Sequence, residues 1–390
     1  MHNDDFDALL RLVAAGGAAA PRKAMLDHQS SPAAALAAGI TLWRACGLSE
    51  AQVGALLKPD PARLERARQW LTDPDHHLVG WTDPDYPPLL RRSINAPFAV
   101  FVAGDPALLW HPSIAVVGSR AATPGGRDNA ATFARTIAAA GFGVASGLAV
   151  GADAAAHEAV LNLGGLTIAV LGTGPDVPYP RSHACLHERI AASGVVVSEH
   201  MPGTGPRAEH FPSRNRILAG LSLGTLVVEA AERSGALITA RQALDAGREV
   251  FAVPGSIHNP LARGCHRLIR DGALLVETAA EVVAAVAPVA RELATDLRQR
   301  LDRPISAARG SCRTAVASGA DTASQGAQRQ LEADDADYQK LWNALGHDPT
   351  GMDQLVERTG LTPAELSSML LLMELDGRVT TQHGRYHRSR

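Results

Sequence analysis

From Ser113 to about Ala287, short apolar runs alternate with helical segments, and that alternation leaves very few folds open. The runs are SIAVVG, FGVASG, LTIAVLG, VVVSE, TLVVEA, EVFAVPG and ALLV, separated by segments such as PGGRDNAATFARTIAAAG and ADAAAHEAVLNLG. The runs are apolar throughout rather than alternating apolar with polar. A strand with one wet face alternates, whereas a strand covered on both faces by crossover helices does not. The expected fold class is therefore α/β: an extended Rossmann-like, doubly wound, mainly parallel sheet with helices on both faces.

At 390 residues the chain is too long for that domain alone. Residues 1–75 read as short helices, with a Ser49 cap and Pro61 in a first turn. They resemble a small helix-hairpin-helix (SAM-like) bundle, a module that more often packs than touches DNA. Residues 76–112 look like a Pro-rich connector with one strand, FAVFVAG, and are grouped with the core as 76–287. Residues 288–335 are Ala-, Ser-, Gly- and Arg-rich with few large apolar residues, so a flexible linker is expected. Residues 336–390 read as a winged helix-turn-helix, its hairpin passing through His383–Gly384.

The formal net charge is −3, so no global basic field advertises nucleic acid, and any polyanion site must be local. Cys46, Cys185, Cys265 and Cys312 are scattered without a CxxC pair, which argues against a zinc site or a disulfide framework. The opening MHNDDFDALL lacks a signal pattern, and no apolar run approaches the roughly 20 residues of a membrane span. A soluble, cytoplasmic protein is expected, with no membrane partner and neither metal nor cofactor.

In an open parallel sheet, ligands bind beyond the carboxyl ends of the strands. The loops there are small and polar: GSRAATPGG from Gly118, SGLAVGAD with Ser146 and Gly147, GTGPDVPYP, the long SEHMPGTGPRAEHFPSR, and ERSGA with Ser234 and Gly235. Glycines let the backbone approach a ligand and offer N–H donors. The box FPSRNRILAGLS places Phe211, Arg214, Asn215 and Arg216 at an expected helix N-terminus, which already favours anions. Ser119, Arg120, Arg207, Arg214 and Arg216 form a compact positive cluster. Such a groove fits a sugar-phosphate backbone better than a single nucleotide, with Phe211 as a stacking face.

Catalytic signatures are weak. There is no GxGxxG after the first strand and no Walker lysine. Asp153 and His157 lie four apart, which suits an acid–base pair or half a metal site, or else a helix cap beside a packing histidine; without a second ligand cluster, the cap is expected. Ser234 lacks a nucleophile elbow and reads as a backbone or phosphate contact. No catalytic residue is assigned.

GSR (118–120), SGLAVGADAAAH (146–157), FPSRNRILAGLS (211–222), VVEAAERSGALITA (227–240), GREVFAVPGS (247–256) and LIRDGA (268–273) occur in the order and spacing of the DNA-processing protein A (DprA/Smf) family. The chain resembles that family across 113–287, and more loosely through YPPLLRRSINAPFAVFVAGDP. The resemblance implies a non-enzymatic, dimeric cytosolic protein that binds and protects incoming single-stranded DNA and loads the RecA recombinase in natural transformation. It also implies a DNA pocket built from Ser119, Arg120, Arg207, Phe211, Arg214, Asn215 and Arg216. The family's GID reads GAD at 151–153, and its GxNxLI reads GCHRLI, with His266 in the Asn position.

Two rivals are open. A transcription regulator would use the winged helix, yet residues 337–390 hold six Lys/Arg against seven Asp/Glu, and TPAELSSMLLLMEL carries no basic residue. A nucleotide-binding hydrolase on a related fold would use Glu229 in LGTLVVEA and would bind a mononucleotide tightly.

Overall fold

A computed structural model of the chain describes residues 3–29, 31–301, 330–346, 348–375, 378–382 and 385–388. It divides into a larger unit, ending at Ala294, and a smaller C-terminal one.

The larger unit is built on a nine-stranded sheet: β1 (His76–Gly80), β2 (Ala99–Ala103), β3 (Ser113–Val117), β4 (Gly143–Ser146), β5 (Thr167–Leu171), β6 (Val195–Ser198), β7 (Gly224–Val227), β8 (Glu249–Ala252) and β9 (Leu274–Leu275). Their spatial order is β1-β2-β6-β5-β4-β3-β7-β8-β9. From β6 to β9 every pairing is parallel, as the uniform apolar runs require. Successive residues of one strand serve opposite cores. Ala115 and Val117 pack on one face with Ile217, Leu218 and Leu237, and Ile114 and Val116 on the other with Phe133, Ile137 and Val160.

The expected connector at 76–112 carries two strands rather than one. β1 pairs antiparallel with β2, and β2 antiparallel with β6, so this segment extends the sheet past its parallel part. The run HHLVG opens on two histidines and does not read as a strand locally. Tertiary contacts decide it, with the His76 ring stacked on Trp70 at 3.9 Å between centroids.

The N-terminal helices do not stand apart from this sheet. Leu9, Leu12, Met25 and Leu56 share one buried cluster with Phe98, Ala99, Phe101 and Met201. Arg22, 6% exposed, donates to the carbonyl oxygens of Leu12 at 3.0 Å and Gly17 at 2.9 Å and lies over the Phe98 ring. Its buried guanidinium is thus satisfied by backbone oxygens, as a desolvated cation must be. Ser49 and Gln52 form a reciprocal capping box, and Asp60 caps the helix Pro61–Trp70.

The helix Ala279–Leu301 runs through the start of the expected linker, burying Val282, Val286 and Leu293 despite Pro288. The rest of that segment, 302–329, lies outside the described residues. The smaller unit comprises helices Gln330–Ala344, Met352–Thr359 and Pro363–Leu375, with a sheet of Thr350–Gly351, Val379–Gln382 and Arg385–Arg388. Val379–Gln382 and Arg385–Arg388 pair antiparallel as a wing; the expected turn at His383–Gly384 lies outside the described residues. Leu341, Leu345, Leu355, Leu366, Leu370 and Met373 close its core. The fold is a winged helix.

Candidate nucleic-acid interface

At β3 the strand order reverses, with β4 on one side and β7 on the other. Chains leaving the carboxyl ends of adjacent strands diverge there and leave a crevice. A cleft of about 830 Å³ occupies that place, walled by the loops after β3, β4, β5, β6 and β7.

After β3 come Gly118, Ser119 and Arg120. Ser119 Oγ accepts the Ala121 N–H at 3.1 Å, which fixes the turn and leaves Arg120 exposed. The turn depends on Gly151, whose φ is +87° and whose missing Cβ would stand 2.4 Å from the Ser119 carbonyl oxygen. A glycine is required at that crossing for both reasons. Phe211 lies in the first turn of the helix His210–Leu221, its ring 5.0 Å from that of Tyr179. The Arg120 guanidinium sits 5.7 Å from the Phe211 centroid, a cation over an aromatic face. Arg207 and Arg233 complete the rim, both exposed. The side chains of Arg120, Arg207 and Arg233 make no hydrogen bond or ion pair to any described residue. Ser234 caps the helix Gly235–Asp245, its Oγ accepting from Ala236 N–H at 3.3 Å, so that helix starts at the cleft wall.

Arg214 and Arg216 part company. Residues two apart on a helix project about 200° from one another. Arg214 turns under the cleft floor, 5% exposed, donating to the Gly147 carbonyl at 2.8 Å, to the Val170 carbonyl, and from Nε to Asn215 Oδ1 at 3.1 Å. Burial lowers its pKa to about 10, against the opposing pull of Asp153. Asp153 accepts the Gly147 and Ala149 N–H groups at 3.1 and 3.4 Å; burial raises its pKa, and Arg214 counters that. Arg216 faces away from the cleft, paired with Glu199 and donating to the Asn95 carbonyl at 2.7 Å. Ser146 lies beneath the cleft, fully buried, its hydroxyl donating to the Val116 carbonyl at 2.7 Å.

Gly118, Ser119, Arg120, Arg207, Phe211, Arg214, Asn215, Ser234 and Gly235 therefore line one cleft. Ser146 and Gly147 shape its floor, and Arg216 belongs elsewhere. Sequence reasoning passed over Arg233 and Tyr179. Arg233 stands in ERSGA beside Ser234, and a search of each strand-end loop for cations would have found it. Tyr179 has no local signal; only the approach of the Phe211 helix makes it a wall.

His157 is a core residue. Thr167 Oγ1 donates to the Val144 carbonyl at 3.0 Å, so His157 Nδ1, 2.7 Å away, is the donor to that hydroxyl. Nε2 is buried without a partner among the described residues. Burial first, then Arg214 and His183, pushes its pKa down to about 3. A histidine held neutral stabilises the fold fully above its unfolded pKa, and that stability is lost as pH falls toward the folded value. His157 alone should therefore contribute a loss of about 1.4 kcal/mol per unit below roughly pH 6.5. Urea titrations from pH 7 downward check this, and His157→Gln should flatten the slope.

The hydrolase candidate Glu229 is 6% exposed and accepts the Asn259 amide at 2.8 Å, and it lies off the cleft wall. A Cβ on Gly126 would stand 2.3 Å from its carboxylate, so Glu229 braces the start of the helix Pro124–Ala139. Among the described residues no cluster of His, Cys, Asp and Glu could hold a metal ion, and no helix is long and apolar enough to cross a membrane.

The fold and cleft define the class: a Rossmann-like, doubly wound protein with an arginine-rimmed, aromatic-walled cleft at its switch point. More narrowly, the chain belongs to the DNA recombination-mediator protein A family, whose profile matches residues 77–287; that of the DprA winged helix domain matches residues 325–385. It is 38% identical to Protein Smf of Escherichia coli over 349 residues, 88% of this chain and 86% of that one. It is 46% identical to the DNA processing protein DprA of Streptococcus pneumoniae over 202 residues, 52% and 71% of the two chains. The crystal structure of that pneumococcal protein superposes with a TM-score of 0.63 at 36% identity, covering 70% of this chain and 95% of that one.

Proposed function

We propose that the cleft binds single-stranded DNA and that the protein acts in DNA processing during transformation, protecting incoming strands and loading RecA. The observation that carries the DNA-binding reading is the set of three unpaired arginines, Arg120, Arg207 and Arg233, around a Phe211–Tyr179 wall. Guanidiniums neutralise phosphates, and an aromatic face stacks bases of any sequence. Arg214 and Asp153 hold the floor on which the others stand. Names of the relatives, DNA processing protein among them, support the same reading. The RecA partnership, a homodimer and a cytoplasmic setting follow from the family resemblance and are part of the proposal, as is the absence of enzymatic activity.

The test is fluorescence anisotropy with single- and double-stranded oligonucleotides of several lengths. Affinity should favour single strands and grow with length. Arg120→Ala should weaken single-strand binding about tenfold and make the log–log salt slope shallower by ~0.7. Equal affinity for duplex, or binding that ignores Arg120, would sink the reading.

A further inference from the structure

A second basic hollow, of about 620 Å³, lies where the helix Pro61–Trp70 meets the loop after β6. Arg207 lines both this hollow and the cleft described above. Arg63 and Arg66 come to it from the N-terminal helices, and His200 and His210 from the core. Arg66 is exposed and its side chain makes no hydrogen bond or ion pair to any described residue. Asp60 also lines the hollow, but its Oδ1 is occupied by the Ala62 and Arg63 N–H groups at 3.0 and 3.2 Å.

The loop is shaped to admit these cations. Gly203 has a φ of +79°, its N–H is held by the Asp176 carboxylate at 2.7 Å, and a Cβ on it would stand 2.4 Å from Arg66 Nη1. His200 and His210 stack at 3.9 Å between ring centroids, and His200 Nε2 is buried without a partner among the described residues. Burial first, then His210, Arg216, Arg63 and Arg207, pushes the His200 pKa down to about 4.

We propose that the polynucleotide passes from the first cleft, beside Arg207, into this second hollow, where Arg63 and Arg66 neutralise further phosphates. The N-terminal helices are then part of the strand-binding surface rather than a packing module only. Two hollows sharing one arginine suit a chain that runs through both, where a compact ligand would need only one. The inference rests on the single-strand reading of the first cleft.

Anisotropy on the full chain with oligothymidylates of about 6 and about 20 nucleotides separates the two. Arg63→Ala/Arg66→Ala should bind the long strand about tenfold more weakly, with a salt slope shallower by ~1.4. The short strand, held by the first cleft, should bind as in wild type, and Arg66→Ala alone should show about half the change in slope. The Arg66→Ala melt should match wild type, whereas Arg63→Ala/Arg66→Ala also loses the Arg63 contact to the Ala14 carbonyl at 3.3 Å, so its binding is compared at a temperature where its melt shows it folded. Unchanged long-strand binding, or equal loss on both strands, overturns the inference while Arg120→Ala still weakens both. If Arg120→Ala affects neither strand, the single-strand reading fails first and this inference falls with it.

Discussion

Arg214→Ala should destabilise the larger unit by about 3–5 kcal/mol, the range seen when one partner of a buried charge network is removed. The truncation strips the Gly147 and Val170 carbonyls of a donor, leaves Asn215 Oδ1 without its Nε contact, and leaves Asp153 buried with no cation beside it. At roughly 2–4 °C per kcal/mol for a unit approaching this size, the melting temperature should drop by several degrees or more. Differential scanning calorimetry measures this directly. An unchanged melting temperature with DNA affinity abolished would mean instead that Arg214 reaches the ligand. The contrast with Arg120→Ala is the useful one, because that side chain holds nothing together and its loss should leave the melt where it was.

Phe211→Ala should cost single-strand affinity about 1–3 kcal/mol, or about 5- to 150-fold. Its ring is the surface between Tyr179 and Arg120, and among the described residues no aromatic besides Phe211 and Tyr179 lines the cleft. A lost stacking face removes no counterion-releasing contact, so the salt slope should stay as in wild type while the affinity falls. Titrations at several salt concentrations separate this from an arginine variant, in which both quantities change. A flattened slope in Phe211→Ala would indicate that the ring acts by positioning Arg120 rather than by stacking.

Much of the architecture could be read before any coordinates. The strands from β3 to β8 coincide with the apolar runs to within a residue, because burial on both faces demands apolar residues along most of each strand. β1 could not be read that way. Its first two residues are histidines, and the strand exists because β2 offers it an edge to pair with. The loops that wall the cleft were legible too, since strand-to-helix turns rich in Gly, Ser and Arg can only lie at the carboxyl ends of such a sheet. Which of their cations face a ligand was not.

The linear chain thus determined the layered sheet, the switch-point cleft and the kind of chemistry gathered there, because periodicity and turn residues act over a few positions. Tertiary structure decided which arginine does what. Arg214 is consumed by carbonyls 67 and 44 residues away, and Arg216 by one 121 residues away, contacts that no local pattern encodes. Helix phase separates the two side chains, and long-range backbone oxygens then claim both. Among the described residues of the cleft, the cations left free are Arg120, Arg207 and Arg233, drawn from three different loops.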